Sequence, residues 1–101
     1  MTYEDDLREK LSRDLDVTTW RELRTHAARD RVFLVAPSVP LLDAAVAIGS
    51  DDADRVGAWV RSGALTRPTA EQLTAWERAL DKPFDCLVLS PYVVAAERPG
   101  H

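Results

Sequence analysis

The side chains that most often perform chemistry are sparse in this sequence. Only Cys86, His26 and the terminal His101 could act as soft metal ligands or as a nucleophile with its base. A structural zinc site needs about four such ligands, and a cysteine nucleophile needs an activating base. Cys86 instead lies inside the apolar run of residues 84–89, which is typical of a small buried side chain. The sequence therefore predicts no metal site and no cofactor, and it does not favour an enzyme.

Two polar clusters could be taken for sites. Asp51, Asp52 and Asp54 lack the glycine and the distal glutamate of a calcium loop. We interpret these carboxylates as complementing the dipole at a helix N-terminus, with Ser50 or Asp51 as the capping residue.

The second cluster is His26, Arg29 and Asp30, which end a predicted helix just before a strand. These three residues could line a polar pocket for a small molecule. Cationic side chains near a helix C-terminus are expected on electrostatic grounds alone, so a ligand-binding or enzymatic role ranks last among our hypotheses.

The best-defined structural elements follow Pro40. Apolar residues at helical spacing predict one helix over residues 41–48 and a second that begins near Ala53 and ends at Gly63. Residues 49–51 alone separate the two, so the chain must turn sharply, as in a helix-turn-helix. The side chains that this arrangement could present to a partner or to DNA are Asp54, Arg55, Gly57, Ala58, Arg61 and Arg67.

The other apolar patterns predict helices near residues 3–15, 20–29 and 69–80, and strands over residues 31–36 and 84–96. Thr19 and Thr69 each open a predicted capping box. Residues 64–67 are predicted to be a short extended strand. With the first helix set aside and residues 68–83 treated as an insertion, the element order is that of a winged helix. The sequence thus predicts an α+β, helix-rich single domain of residues 1–97. Its small sheet joins the two predicted strands, a winged-helix-like helix-turn-helix forms its centre, and residues 98–101 are a disordered tail.

Composition limits the function classes. No apolar run approaches the ~20 residues of a membrane span, and the acidic start lacks signal-peptide character, so we predict a cytoplasmic protein with no membrane contact. A net charge of −4 disfavours a surface built to hold nucleic acid. Trp20, Trp59 and Trp76 lie on apolar helical stripes, so core packing explains them better than base stacking does.

An ordered set of residues carries a resemblance to a known family. The set comprises Trp20 with residues 26–30, Ala47 and Ile48 with Asp52, Val56 and Trp59, Arg67 and Pro68 with Gln72, Leu73 and Trp76, and Leu87 and Val88 with Pro91 and Val93. Over roughly residues 5–97 the chain resembles the bacterial family called domain of unknown function 2288. The resemblance implies a small bacterial protein and carries over no activity, cofactor or catalytic residue. The chain departs from the family at Ala36 and Pro40, where acidic residues are common.

Three function classes stay open. The favoured one is a non-enzymatic protein-interaction or regulatory module that binds a protein partner or a second copy, since Gly57 and Ala58 would let another backbone approach. The alternative is a DNA-binding winged helix, with Arg55 and Arg61 in the major groove and Arg67 near a phosphate. Four acidic and two basic residues between positions 40 and 63 count against it. The third class is a small-molecule-binding protein or enzyme with a pocket near His26.

Overall fold

A computed structural model describes residues 2–98 of the 101-residue chain. These residues form five helices and five strands. In chain order they are α1 (Tyr3–Asp14), β1 (Asp16–Thr19), α2 (Trp20–Ala28), β2 (Val32–Val35), α3 (Leu41–Gly49), α4 (Ala53–Ser62), β3 (Leu65–Thr66), α5 (Ala70–Glu77), β4 (Pro83–Leu89) and β5 (Tyr92–Glu97).

The strands form one mixed sheet with the order β1-β4-β5-β2-β3. β4 and β5 are an antiparallel hairpin whose turn contains Pro91, so the predicted interruption marks the turn. β2 runs parallel to β5, with Val32 opposite Val93. The sheet predicted between the two apolar segments is therefore present, and the α+β class is confirmed.

Helices cover both faces of the sheet because each strand alternates its side chains between the two faces. On one face, which we call the aromatic face, Trp20 of α2 and Trp76 of α5 pack on Phe84 of β4. The Trp20 and Trp76 rings lie 5.0 Å apart, and the Trp76 and Phe84 rings 5.1 Å apart. The opposite face, which we call the α3 face, packs Leu87 and its neighbours against α1 and α3. Trp20 and Trp76 are core residues, as predicted.

The sharp turn between α3 and α4 is made by residues 50–52. Asp51 adopts a left-handed φ of 57°, and the Asp52 carboxylate accepts a hydrogen bond from the Arg55 N–H at 3.2 Å. Gly63 ends α4 with a φ of 81°, as its position indicates. The predicted cap was wrong by one or two residues, because it is Asp52 that lies at the N-cap. The likeness to a winged helix stays a prediction.

β1 was not predicted from the sequence, since it lies between two predicted helices. Pairing with β4 orders this segment, with Val17 opposite Asp85 and Thr18 opposite Phe84. The Thr19 side chain makes no capping bond, and the Glu22 carboxylate accepts a hydrogen bond from the Thr18 hydroxyl at 2.7 Å instead of closing the capping box. The capping box at Thr69 is complete, as predicted.

The predicted disordered tail begins inside the described part of the chain. Arg98 pairs with Asp85 at 3.1 Å, whereas residues 99–101 lie outside the described residues. Within residues 2–98, no helix combines the length and the apolar character needed to cross a membrane.

Candidate docking edge

One edge of the sheet combines open backbone with exposed apolar side chains. Among residues 2–98, β1 pairs with β4 on one side and with no strand on the other. The Trp20 N–H donates to the Lys82 carbonyl at 3.0 Å and so extends the β1–β4 ladder. Because ladder bonds alternate along an antiparallel strand, the backbone of Thr18 faces β4 and that of Val17 faces away from the sheet. We call residues 15–19 the β1 edge.

The outward Val17 N–H is shielded in the free chain. It donates to the Asp16 carboxylate at 2.8 Å, so the group that would otherwise attract another strand already has an acceptor. Proteins commonly blunt edge strands with charged side chains in this way. Because the acceptor is an exposed side chain rather than a strand, the bond can be exchanged for one to an incoming backbone.

An apolar groove runs beside this edge on the α3 face. Leu15, Val17, Leu41 and Leu42 line a space of about 440 Å³ together with Asp16 and Asp85. Leu15 is 44% exposed and Val17 is 50% exposed. Two helices form the groove. Leu15 lies at the end of α1, just before β1, and Leu41 and Leu42 are the first two residues of α3, after Pro40. Exposed apolar side chains grouped in this way mark interaction surfaces more often than isolated ones do.

The surface around the β1 edge is negatively charged. Asp14, Asp16 and Glu22 are exposed, and none of them forms an ion pair with a cation of the described chain. The negative charge also affects the buried Cys86 thiol. Its pKa is raised mainly by burial and further by the carboxylates of Asp16, Asp85 and Glu22. Cys86 is thus a buried small side chain, as predicted, lying under an acidic surface.

The side chains predicted to face a partner or DNA from α4 have mixed surroundings. Arg55 lies 3.6 Å from Glu4, and its guanidinium lies 5.1 Å from the centre of the Trp59 ring. Arg61 bends back over Gly57, where a Cβ would lie 3.2 Å from its guanidinium nitrogen. Asp54 and Ala58 are exposed. The proposed recognition arginine Arg55 is therefore held by contacts within the protein, and the DNA-binding alternative stays a prediction.

Arg67, predicted to face a partner, contacts one residue of the predicted polar cluster of His26, Arg29 and Asp30. Arg67 pairs with Asp30, and its guanidinium lies 5.2 Å from the centre of the Phe33 ring. His26 lines a groove over Cys86 on the aromatic face, while Arg29 is exposed. Asp30 is thus joined to Arg67 rather than to His26 or Arg29. In the part of the chain that the structure describes, no group of His, Cys, Asp and Glu side chains is arranged to hold a metal ion.

The sequence contains a weak signal for the β1 edge. Residues 15–18 alternate apolar and polar side chains, and Val17, Thr18 and Thr19 are β-branched. Such alternation is typical of a strand with one buried face. Five residues next to a strong helical pattern were too few to separate a strand from a loop.

Comparison with known proteins places the chain in a family. Residues 6–97 match the family described as "Protein of unknown function (DUF2288)", and the chain belongs to it. The predicted resemblance is confirmed. The chain is also similar to the NMR solution structure of PA1075 from Pseudomonas aeruginosa, with a TM-score of 0.80 and 29% sequence identity over 99% of this chain and 93% of that one. No curated protein matches the chain.

Proposed function

We propose that this chain is a protein-interaction module and that its partner docks at the β1 edge. The observation that carries the proposal is the coincidence of Leu15 and Val17, each about half exposed, with an open strand edge and an apolar groove. Burying apolar surface contributes roughly 25 cal/mol per Å². An open edge adds main-chain hydrogen bonds, so the two together can hold an extended segment of another protein.

The shape and chemistry of the site favour a protein over a small molecule. Small-molecule pockets are concave and combine an apolar lining with a few convergent polar groups. Here Leu41 and Leu42 form a shallow apolar wall, and the nearby carboxylate of Asp85 is already paired with Arg98. The repeating backbone groups of β1 offer a line of contacts, which suits a chain rather than a compact ligand.

Comparative capture from lysate of the source cells tests the proposal. The wild-type chain, Val17→Thr and Val60→Thr would be immobilised, and the retained proteins quantified. Threonine keeps the β-branched shape and replaces one of the two valine methyl groups with a polar hydroxyl. Val60 is an exposed valine of α4, 56% exposed and far from β1 in sequence, so its variant is the matched control.

We expect a retained protein that is lost from Val17→Thr and kept by Val60→Thr. Circular dichroism would establish that both variants fold. Identical retention by all three chains would contradict the proposal. Light scattering of the purified chain tests whether the partner is a second copy of the chain, which a dimer that depends on Val17 would show.

A further inference from the structure

We infer that the occupant of the β1 edge is an extended peptide that alternates basic and apolar side chains and adds to the sheet as a strand beside β1. The inference rests on the proposed function and specifies the chemistry of the partner. It follows from which face of the sheet each side chain of the edge occupies, and from the charge that those side chains carry.

The side chains of the edge divide by chemistry between the two faces. Val17 lies opposite Asp85 and lines the groove beside Leu42, on the α3 face. Asp16 lies opposite Cys86, which belongs to the core of the aromatic face. A strand added beside β1 would place alternate side chains near these two surfaces, with cross-strand Cβ atoms about 5 Å apart. Because Asp85 on the Val17 side is already paired with Arg98, apolar side chains fit that side, and cationic side chains fit the Asp16 side.

The negative charge around the β1 edge favours a basic peptide over a second copy of this chain as the occupant. A two-fold arrangement of two β1 edges would bring Asp14, Asp16 and Glu22 of one copy towards the same three carboxylates of the other. Like charges facing each other across strands are destabilising. A peptide with lysine or arginine on that side meets carboxylates that have no cationic partner among the described residues, so its charges are complementary.

Asp16 has a different role in the free and the bound chain. In the free chain its carboxylate accepts the hydrogen bond of the Val17 N–H. When a strand is added, a carbonyl of the peptide accepts that N–H instead, and the released carboxylate can pair with a cation of the peptide. One side chain therefore shields the edge against unspecific strand pairing and selects a basic partner. A neutral or acidic peptide would displace the carboxylate without pairing with it.

The test uses the full chain labelled with ¹⁵N and titrated with a short synthetic peptide that alternates lysine and valine. We expect saturable shift changes at the amides of Val17 and Thr19 at peptide concentrations up to about 1 mM. A peptide that alternates glutamate and valine should leave both amides unchanged. In about 1 M salt, where the screening length is about 3 Å, binding of the lysine peptide should weaken.

A matched pair of variants isolates the role of Asp16. Asp16→Asn keeps an oxygen that can accept the Val17 N–H and removes the charge, so the affinity for the lysine peptide should fall about two- to fivefold. Glu71→Gln removes an exposed charge from α5 and should leave the affinity unchanged. Equal losses in both variants would attribute the effect to net charge and overturn the inference.

The remaining outcomes are also decisive. Equal binding of the lysine and glutamate peptides, or shift changes confined to other elements, would overturn the inference. A dimer that depends on Val17 would do the same by giving the edge another occupant. If lysate capture responds to Val17→Thr while the lysine peptide does not bind, the proposed function stands and this inference fails. If neither responds, both fail.

Discussion

Glu77 joins α2 to α5 over the aromatic face, and its replacement offers a sharp test of the packing described above. The Trp20 indole N–H donates to one Glu77 oxygen at 2.5 Å, and Arg24 pairs with the other oxygen. Trp20 is 1% exposed. We predict that Glu77→Leu destabilises the fold substantially, whereas Glu77→Gln keeps most of its stability.

The expected magnitudes follow from the two contacts. A hydrogen bond to a charged group contributes about 1.5–3 kcal/mol. The Arg24 and Glu77 side chains are 46% and 40% exposed, so solvent screening limits their ion pair to roughly 0.2–1 kcal/mol. Leucine removes both contacts, and we expect a loss of about 2 kcal/mol in the free energy of unfolding. Glutamine can still accept the Trp20 N–H, so its cost should stay below about 1 kcal/mol.

Urea unfolding, followed by tryptophan fluorescence and circular dichroism, measures both losses. For a domain of this size the slope is roughly 1–3 kcal/mol per M, so Glu77→Leu should lower the midpoint by about 1 M and Glu77→Gln by less than half of that. Glu71→Leu is the matched control, since Glu71 is an exposed carboxylate in the first turn of the same helix. Equal midpoints for the two Glu77 variants would refute the reasoning, because they would mean that water satisfies the Trp20 indole.

Three further predictions concern backbone, capping and pH. Gly63→Ala should cost about 1 kcal/mol, seen as a lower thermal midpoint, because alanine is strained at a φ of 81° while its Cβ would contact nothing within 4 Å. Thr69→Ala should lose about 1 kcal/mol in urea unfolding, and Thr19→Ala clearly less, because only Thr69 makes a capping bond. The folded-state pKa of Cys86 lies above its ordinary value of 9.0, so its contribution to stability is complete below pH 9 and is lost as the pH rises through the folded pKa. The fall in unfolding free energy above pH 9 should therefore be smaller in Cys86→Val than in the wild type, and equal pH profiles would contradict this.

The features that were predictable from sequence are those with local causes. The turn before α4 and the end of α4 at Gly63 are each determined by a few neighbouring residues, because capping and left-handed backbone act within one helical turn. The apolar strands β2 and β5 and the burial of Cys86 also follow from short runs of composition. Each of these inferences needs no knowledge of what lies across the fold.

The features that were missed depend on partners distant in sequence. Glu77 contacts Trp20, which lies 57 residues away, and no spacing rule links the two. Thr19 precedes a suitable glutamate, yet Glu22 bonds to Thr18, because β1 continues to the start of α2 and fixes how the chain enters that helix. The capping pattern at Thr69 succeeded because no strand leads directly into α5.

The same property explains why β1 escaped prediction and why it suits a partner. Its order comes mainly from β4, which satisfies its backbone on one side and leaves Val17 facing outwards. A segment that owes its structure to a neighbouring strand needs little sequence signal of its own, and it can accept a second strand by the same hydrogen-bonding pattern. Asp16 and the apolar residues Leu15 and Val17 then decide which second strand is accepted. Recognition at this edge therefore depends on alternation of charge and hydrophobicity over a few residues rather than on an enclosed pocket.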